Sequence, residues 1–287
     1  MASGHEKNQN AASTQNPNTA AIQQQNTAAI NKPDLKPRDG AQRKTVLITG
    51  ASRGIGAATA LAAARDGFNV AVNYVRDAAA AQRVVGQVQA LGRRAVAVQG
   101  DAGNHDDIKR MFSEAEAQLG PVTALVNNAG ITGPIGPFSR TSDDTIARVF
   151  QVNVLGAMAC CREALACFER HGQPGVIVNV SSVAARTGSP GEYIHYAASK
   201  AALDAFTLGL AREVAVTGTR VCAVAPGTTH TDIHATAGEP DRPARVAPRI
   251  PMGRLAHPEE IAETIAFVLS PAASYITGTV ISCTGGL

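Results

Sequence analysis

The chain has 287 residues, 45% of them apolar and 17% charged, with a net charge of +3 and no Trp. That length suits one large domain or two small ones, in an ordinary globular composition. So small a positive charge, with no basic block interleaved with aromatics, excludes a nucleic-acid module.

The five cysteines, Cys160, Cys161, Cys167, Cys222 and Cys283, form no C-x-x-C pair. They read as small buried hydrophobes in a reducing compartment. His230 and His234 are four apart but lack the intervening Glu of a metalloprotease helix, so no metal is expected. No apolar run reaches the ~18 residues of a membrane span. The first residues lack a continuous apolar core, and the first Arg is Arg38. The expectation is a cytoplasmic protein.

Residues 1–43 are rich in Asn, Gln, Ala and Thr and poor in large apolar residues. Such a stretch cannot bury enough surface to offset its ordering entropy, and reads as a disordered polar tail. The folded domain is expected over 44–287.

Residues 45–49, TVLIT, read as a buried strand. Gly50-Ala51-Ser52-Arg53-Gly54-Ile55-Gly56 follows, then an Ala-rich helical stretch to Arg65. Strand, glycine-rich turn and helix bring a pyrophosphate against free backbone N–H groups at a helix N-terminus. The spacing is G-x-x-x-G-x-G.

Residues 68–74 read as a second strand, ending Asn73-Tyr74-Val75-Arg76. An acid near this end usually holds the ribose 2′-hydroxyl of NAD. None sits at the tip, although Asp77 follows. Arg53 and Arg76 are both placed to meet a 2′-phosphate, which favours NADP(H) over NAD(H).

A helix is expected over 77–92, a strand over 94–99 and a helix over 105–119. Asp101 lies at the third strand's carboxyl end, as a ligand contact, the N-cap of the next helix, or both. A fourth strand, 122–126, leads into Asn127-Asn128-Ala129-Gly130. A long helix is expected over 142–171, with Asn153 among Val152, Val154 and Leu155; a buried amide there needs partners. Strand 176–180 ends at Ser181-Ser182, and strand 219–225 at Pro226-Gly227. Residues 228–250 show no period and read as a lid or binding loop. Helix 258–269 and strand 279–283 complete a doubly wound parallel α/β sheet of seven strands in a single domain.

Gly191 to Lys200 reads GEYIHYAASK. In a helix, Tyr196 and Lys200 lie on one face, one turn apart. A free phenol has a pKa of about 10, and a nearby cation lowers it by about 1–3 units. Tyr193 lacks such a partner, since position 197 is Ala.

Together these residues resemble the short-chain dehydrogenase/reductase family in its single-domain, Rossmann-type form. The resemblance runs from Lys44 to Leu287. It rests on Thr49-Gly50-x-x-x-Gly54-x-Gly56, Asn127 to Gly130, Asn153, Ser182, Tyr196-x-x-x-Lys200, and Pro226-Gly227 with Thr231. It implies hydride transfer between NADP(H) and a carbonyl or alcohol substrate. Tyr196 would be the general acid/base, and Lys200 would lower its pKa and hold the nicotinamide ribose. Ser182, with Ser181 in reserve, would hydrogen-bond the substrate oxygen. Asn153 would hold a water linking Lys200 to solvent. The resemblance places the cofactor against Gly50, Ser52, Arg53, Gly54, Ile55, Gly56, Tyr74, Arg76, Asp101, Asn128, Ala129, Gly130, Tyr196, Lys200, Pro226, Gly227, Thr229 and Thr231. Asp101 and Asn128 would meet the adenosine half and Thr231 the nicotinamide amide. Tyr193 would line the substrate pocket.

The chain is similar to 3-oxoacyl-carrier-protein reductases, sugar 1-dehydrogenases and broad carbonyl reductases. Arg212 and Arg220 form no basic cluster for an acidic carrier. Arg242, Arg245 and Arg249 in 228–250 would either meet an anionic substrate or stand in solvent. A non-catalytic NADP(H) sensor is the alternative class, but such proteins lose the tyrosine or lysine that this chain keeps. The resemblance also implies a homotetramer, paired through the helices 142–171 and 194–216.

Overall fold

Period-two alternation sorts the strand side chains onto two faces. In β1 (Thr45–Ile48), Val46 and Ile48 join one core and Leu47 the other. The pattern repeats in β2 (Asn69–Tyr74), β4 (Val122–Asn127), β5 (Val176–Val180) and β6 (Arg220–Pro226). With β3 (Ala95–Gln99) and β7 (Val280–Cys283) these make one seven-stranded sheet, ordered β3-β2-β1-β4-β5-β6-β7. Every pairing is parallel. Burial on both faces explains why the strands are almost continuously apolar. The structure, a computed structural model, describes residues 44–287; the expected polar tail, 1–43, lies outside the described residues.

Helices Gly54–Arg65, Ala78–Ala90 and Pro258–Leu269 cover one face. Helices His105–Leu119, Ala157–Arg170 and Ile194–Val214 cover the other. The Ala-rich first helix meets Pro258–Leu269 through Ala58, Ala62, Ala262 and Ala266, small side chains that let two backbones approach closely. The sheet is a doubly wound α/β fold. Strand order reverses between β1 and β4, so the turns leaving their carboxyl ends diverge and open a crevice.

Two local expectations need correction and a third gains detail. The helix expected over 142–171 runs Asp143–Arg170 and carries a π-helical turn, Gln151–Gly156, between Asp143–Phe150 and Ala157–Arg170. That turn admits an extra residue without disturbing the apolar periodicity on either side. The irregular stretch 228–250 contains two short helices, Ile233–Thr236 and Arg242–Val246. Asp101 is not the cap of His105–Leu119; Asn104 is, its side chain accepting from the N–H groups of Asp106 and Asp107.

The helical run Asp143–Arg170 is long and apolar enough to cross a membrane by composition. Its apolar side is instead packed on the sheet, with Cys160, Cys161, Ala164, Cys167 and Phe168 against Leu125 and Ile177. All five cysteines are free, and four are buried. Desolvation pushes the Cys160 thiol up to about 12, which keeps it un-ionised and inert.

Candidate active site

The turn after β1 is held by side chains from its neighbours. Asn73 accepts from the Gly50 N–H (3.0 Å) and donates to the Gly100 carbonyl (2.9 Å), tying the turn to β2 and β3. Asn128 donates to the carbonyls of Thr49 (2.9 Å) and Gly50 (3.0 Å). Thr49 Oγ1 accepts from the N–H groups of Asn128 and Ala129, each at 3.0 Å. The Asn128 side-chain N–H groups therefore hold the turn. Gly56 is required by this packing: a Cβ there would lie 2.5 Å from both Asn128 Nδ2 and the Gly50 oxygen.

The helix that follows starts without a side-chain cap and with no acid in its first turn. The helices beginning at Ala78, His105 and Asp143 are capped by Asp77, Asn104 and Ser142. The first N–H groups of Gly54–Arg65, which have no intrahelical acceptor, are thus left for an anion. Gly54 has φ +54°, and a Cβ there would be 3.2 Å from Thr231 Cγ2, so the turn faces residues 228–250. Ser52 and Ile55 stand half-buried at its mouth. The residues present fit a dinucleotide's pyrophosphate.

Arg53 and Arg76 are exposed and, among the described residues, have no carboxylate partner. Tyr74 is half-buried at the end of β2. Asp77 accepts from the Ala80 N–H (2.8 Å) as a helix cap. Asp101 accepts from Arg148 (2.5 Å) and from the Gly103 N–H (2.8 Å).

Tyr196 and Lys200 are both buried, at 8% and 3% exposure. Lys200 Nζ donates to the Val180 carbonyl at 2.7 Å and lies 5.7 Å from the Tyr196 ring centroid. Burial pushes the Tyr196 phenol above its ordinary value, opposed by a hydrogen bond with Ser182 and by the Arg242 charge. Desolvation dominates this direction. Burial also pulls the Lys200 ammonium down, to about 8, against the attraction of Asp204.

The two serines have separate surroundings. Ser182 accepts from the Ala184 N–H (3.1 Å) and opposes the upward shift of the Tyr196 phenol. Ser181 is buried toward the Lys200 carbonyl (3.5 Å) and Asp204. The π-helical turn brings Asn153 under the site. Its Oδ1 accepts from the Ile131 N–H, and its Nδ2 donates to the Ile131 carbonyl and to Ser199 Oγ. Ser199 donates to the Tyr196 carbonyl at 2.7 Å. A Cβ on Gly130 would lie 3.3 Å from Lys200 Nζ and 3.4 Å from Asn153 Oδ1, so the three converge around that glycine.

Residues 228–250 are docked over this floor. Thr229, following Pro226-Gly227, is buried and donates to the Gly227 carbonyl (3.1 Å), while its own carbonyl is 3.0 Å from His234 Nε2. His230 turns away to the ring of His257, so the two histidines do not converge. Arg242 and Arg245 neither stand free nor face an empty anion site: both are paired with Glu192, and Arg245 also with Glu239. Arg249 is exposed. Tyr193 packs edge to face on Tyr196.

Sequence reasoning missed Asn73 and the Glu192 pairing. Asn73 had a signal: an amide inside an otherwise apolar strand needs buried partners. Glu192 had none, since its arginines lie 50 and 53 residues away.

A family model described as enoyl-(acyl carrier protein) reductase matches residues 50–287. The chain belongs to the short-chain dehydrogenase/reductase family. It is 46% identical over 242 residues to the uncharacterized oxidoreductase YgfF of Escherichia coli, covering 84% of this chain and 98% of that protein. Among solved structures, a blue fluorescent protein from a metagenomic library, in complex with NADPH, matches with TM-score 0.77 and 33% identity, over 85% of this chain and 97% of that one. A 3-ketoacyl-(acyl-carrier-protein) reductase from Brucella melitensis, complexed with NADH, matches with TM-score 0.78 and 34% identity over the same 85% and 97%. The chain is an oxidoreductase of this family, which uses a nicotinamide cofactor.

Gly56→Ala forces a side chain against the Asn128 amide and the Gly50 carbonyl. It should weaken dinucleotide binding by at least ~10-fold, the equivalent of about 1.4 kcal/mol, with the far-ultraviolet circular dichroism unchanged. Fluorescence titration with NADPH and NADH measures this; unchanged affinity would contradict the assignment of the turn.

Proposed function

We propose that the protein is an NADP(H)-dependent carbonyl reductase, or an alcohol dehydrogenase in the reverse direction, with Tyr196 as its general acid/base. The observation that carries this reading is the burial of the Tyr196 phenol with the Lys200 ammonium 5.7 Å from its ring centroid, and with Ser182 placed to oppose the phenol's upward shift. Two hydroxyls in such a site can both turn to a third oxygen entering between them.

The bound dinucleotide supplies or accepts the hydride. In reduction, Ser182 donates to the carbonyl oxygen as negative charge develops there, in the manner of an oxyanion donor. Tyr196 then gives that oxygen its proton. Burial, which disfavours a bare phenolate, keeps the proton on Tyr196 until an acceptor arrives. Lys200, fixed by the Val180 carbonyl, stabilises the phenolate left behind. Asn153 orders the floor by fixing Ile131 and, through Ser199, the first turn of the Tyr196 helix.

The preference for NADP(H) rests on Arg53 and Arg76, unpaired with carboxylates among the described residues, and on Asp77, the nearest acid, acting as a helix cap. A 2′-phosphate between two guanidinium groups would gain charge-assisted hydrogen bonds that a 2′-hydroxyl cannot make. Asp101, Asn128, Ala129, Thr229 and Thr231 complete the cofactor's surroundings in this reading. The substrate is a small ketone or secondary alcohol. An acyl-carrier substrate has less support, because Arg242 and Arg245 are paired internally and form no basic entrance.

The decisive experiment follows NADPH and NADH oxidation in parallel over a panel of ketones. NADPH should be preferred. Tyr196→Phe should lower kcat by ~10²–10⁴, the usual weight of a general acid, while NADPH still binds. Normal turnover by that variant would sink the mechanism, and tight NADPH binding with no turnover by the native protein would favour a sensor.

The reading includes a cytoplasmic homotetramer. Leu155 and Leu208 are exposed on the two helices expected to pair. Sedimentation velocity at micromolar concentration should give a tetramer, and a stable monomer contradicts that expectation.

A further inference from the structure

Residues 228–250 are fastened to the active site by a clasp of four charges. Arg242 donates to Glu192 Oε2 from Nε (3.2 Å) and Nη2 (2.6 Å). Arg245 donates to Glu192 Oε1 at 2.7 Å and pairs with Glu239 at 2.6 and 2.8 Å. Glu192 lies just before the Tyr196 helix, and its backbone carbonyl accepts from the Gly136 N–H at 2.8 Å. Arg242 is only 7% exposed. A buried guanidinium persists only where its charge is matched, which Glu192 does.

Arg242 does more than close the clasp. Its guanidinium carbon lies 5.3 Å from the centroid of the Tyr193 ring. That ring meets the Tyr196 ring edge to face, with centroids 5.2 Å apart and planes at 84°. Cation, aromatic ring and acid/base phenol therefore form one continuous stack, whose first member belongs to the 228–250 segment.

We propose that Arg242 is a positioning residue that ties the seating of residues 228–250 to the proton chemistry of Tyr196, acting through Tyr193. The proposal rests on the reading of Tyr196 as the acid/base. A cation on a ring face holds the ring in place, and an edge-to-face partner then fixes the second ring. The same cation, in a site of low dielectric, favours the phenolate over the phenol. When the segment is seated, Tyr196 is oriented and gives up its proton more readily. When the segment lifts, Arg242 leaves with it and Tyr193 loses its support.

The groups facing Tyr196 come from three directions. Lys200 is on its own helix, Ser182 on the turn after β5, and Arg242, behind Tyr193, on the segment. Behind Arg242 stand Glu192, Arg245, Glu239 and His234. Burial raises the phenol, and Ser182 and Arg242 oppose it.

Two variants separate charge from structure. Arg242→Met and Glu192→Gln break the same clasp, but only the first removes the cation. The Tyr196 titration is read from tyrosinate absorbance in the NADP-bound protein, assigned by difference against Tyr196→Phe. Arg242→Met should raise the midpoint by about half a unit or more. Glu192→Gln should lower it or leave it in place, and Arg242→Lys should fall between native and Arg242→Met. Arg249→Met, exposed on the same segment, is the control. An unmoved midpoint in Arg242→Met, or shifts of the same sign in Arg242→Met and Glu192→Gln, overturns the proposal. Should Arg242→Met not fold, Arg242→Lys against Glu192→Gln decides it: shifts of the same sign, or none, overturn it. Turnover is measured separately, so an inactive native protein would refute the role of Tyr196 while the titration still judges the stack.

Discussion

Two side-chain amides, the buried Asn73 and the half-buried Asn128, decide what the glycine-rich turn can do. A tight turn at a sheet's edge exposes carbonyls and N–H groups that cannot reach water, and each one left unpaired costs about 1–3 kcal/mol. Asn73 takes the Gly50 N–H and Asn128 takes the carbonyls of Thr49 and Gly50. With those groups satisfied, the unpaired donors are the first N–H groups of Gly54–Arg65, at the positive end of a helix without a cap. The anion site is therefore what remains after the turn's own needs are met. Its position between β1 and β4 follows from the reversal of strand order.

Tyr196 and Lys200 obey a related constraint. Phenol and ammonium are buried together, and desolvation penalises the charged form of each. The Tyr196 phenol moves up and the Lys200 ammonium moves down, to about 8. Burial thereby works against charge on both groups, so the balance at each is set by its neighbours. A cofactor, a carbonyl oxygen and the seated 228–250 segment each bring such neighbours. That arrangement makes Ser182 and Arg242, the groups that oppose burial at Tyr196, as informative as the pair itself.

Much of this was readable in the chain. Strands β1, β2, β4 and β5 announce themselves as short apolar runs between turn residues, and Tyr196 and Lys200 declare a shared helix face by spacing alone. What was hidden has physical reasons. The π-helical turn at Gln151–Gly156 adds a residue between two helices without altering the apolar pattern of either. Ser181 and Ser182 are neighbours in sequence, and only the sheet's exit geometry sends one to the Lys200 carbonyl and the other to the Ala184 N–H. Asp101 and Asn104 are both good caps three residues apart, and the helix starts at His105, directly after Asn104. The Glu192 clasp pairs charges more than forty residues apart, which no local pattern encodes.

The central claim is that the crevice between β1 and β4 directs hydride to a carbonyl carbon whose oxygen is protonated by Tyr196. The most direct measurement uses NADPH deuterated at nicotinamide C4 on the transferred face, with a reactive ketone from the panel, and mass spectrometry of the alcohol. The account predicts one deuterium, carried on the carbinol carbon. NADPH that binds tightly yet yields no deuterated alcohol with any ketone, or yields alcohol without the label, would contradict it.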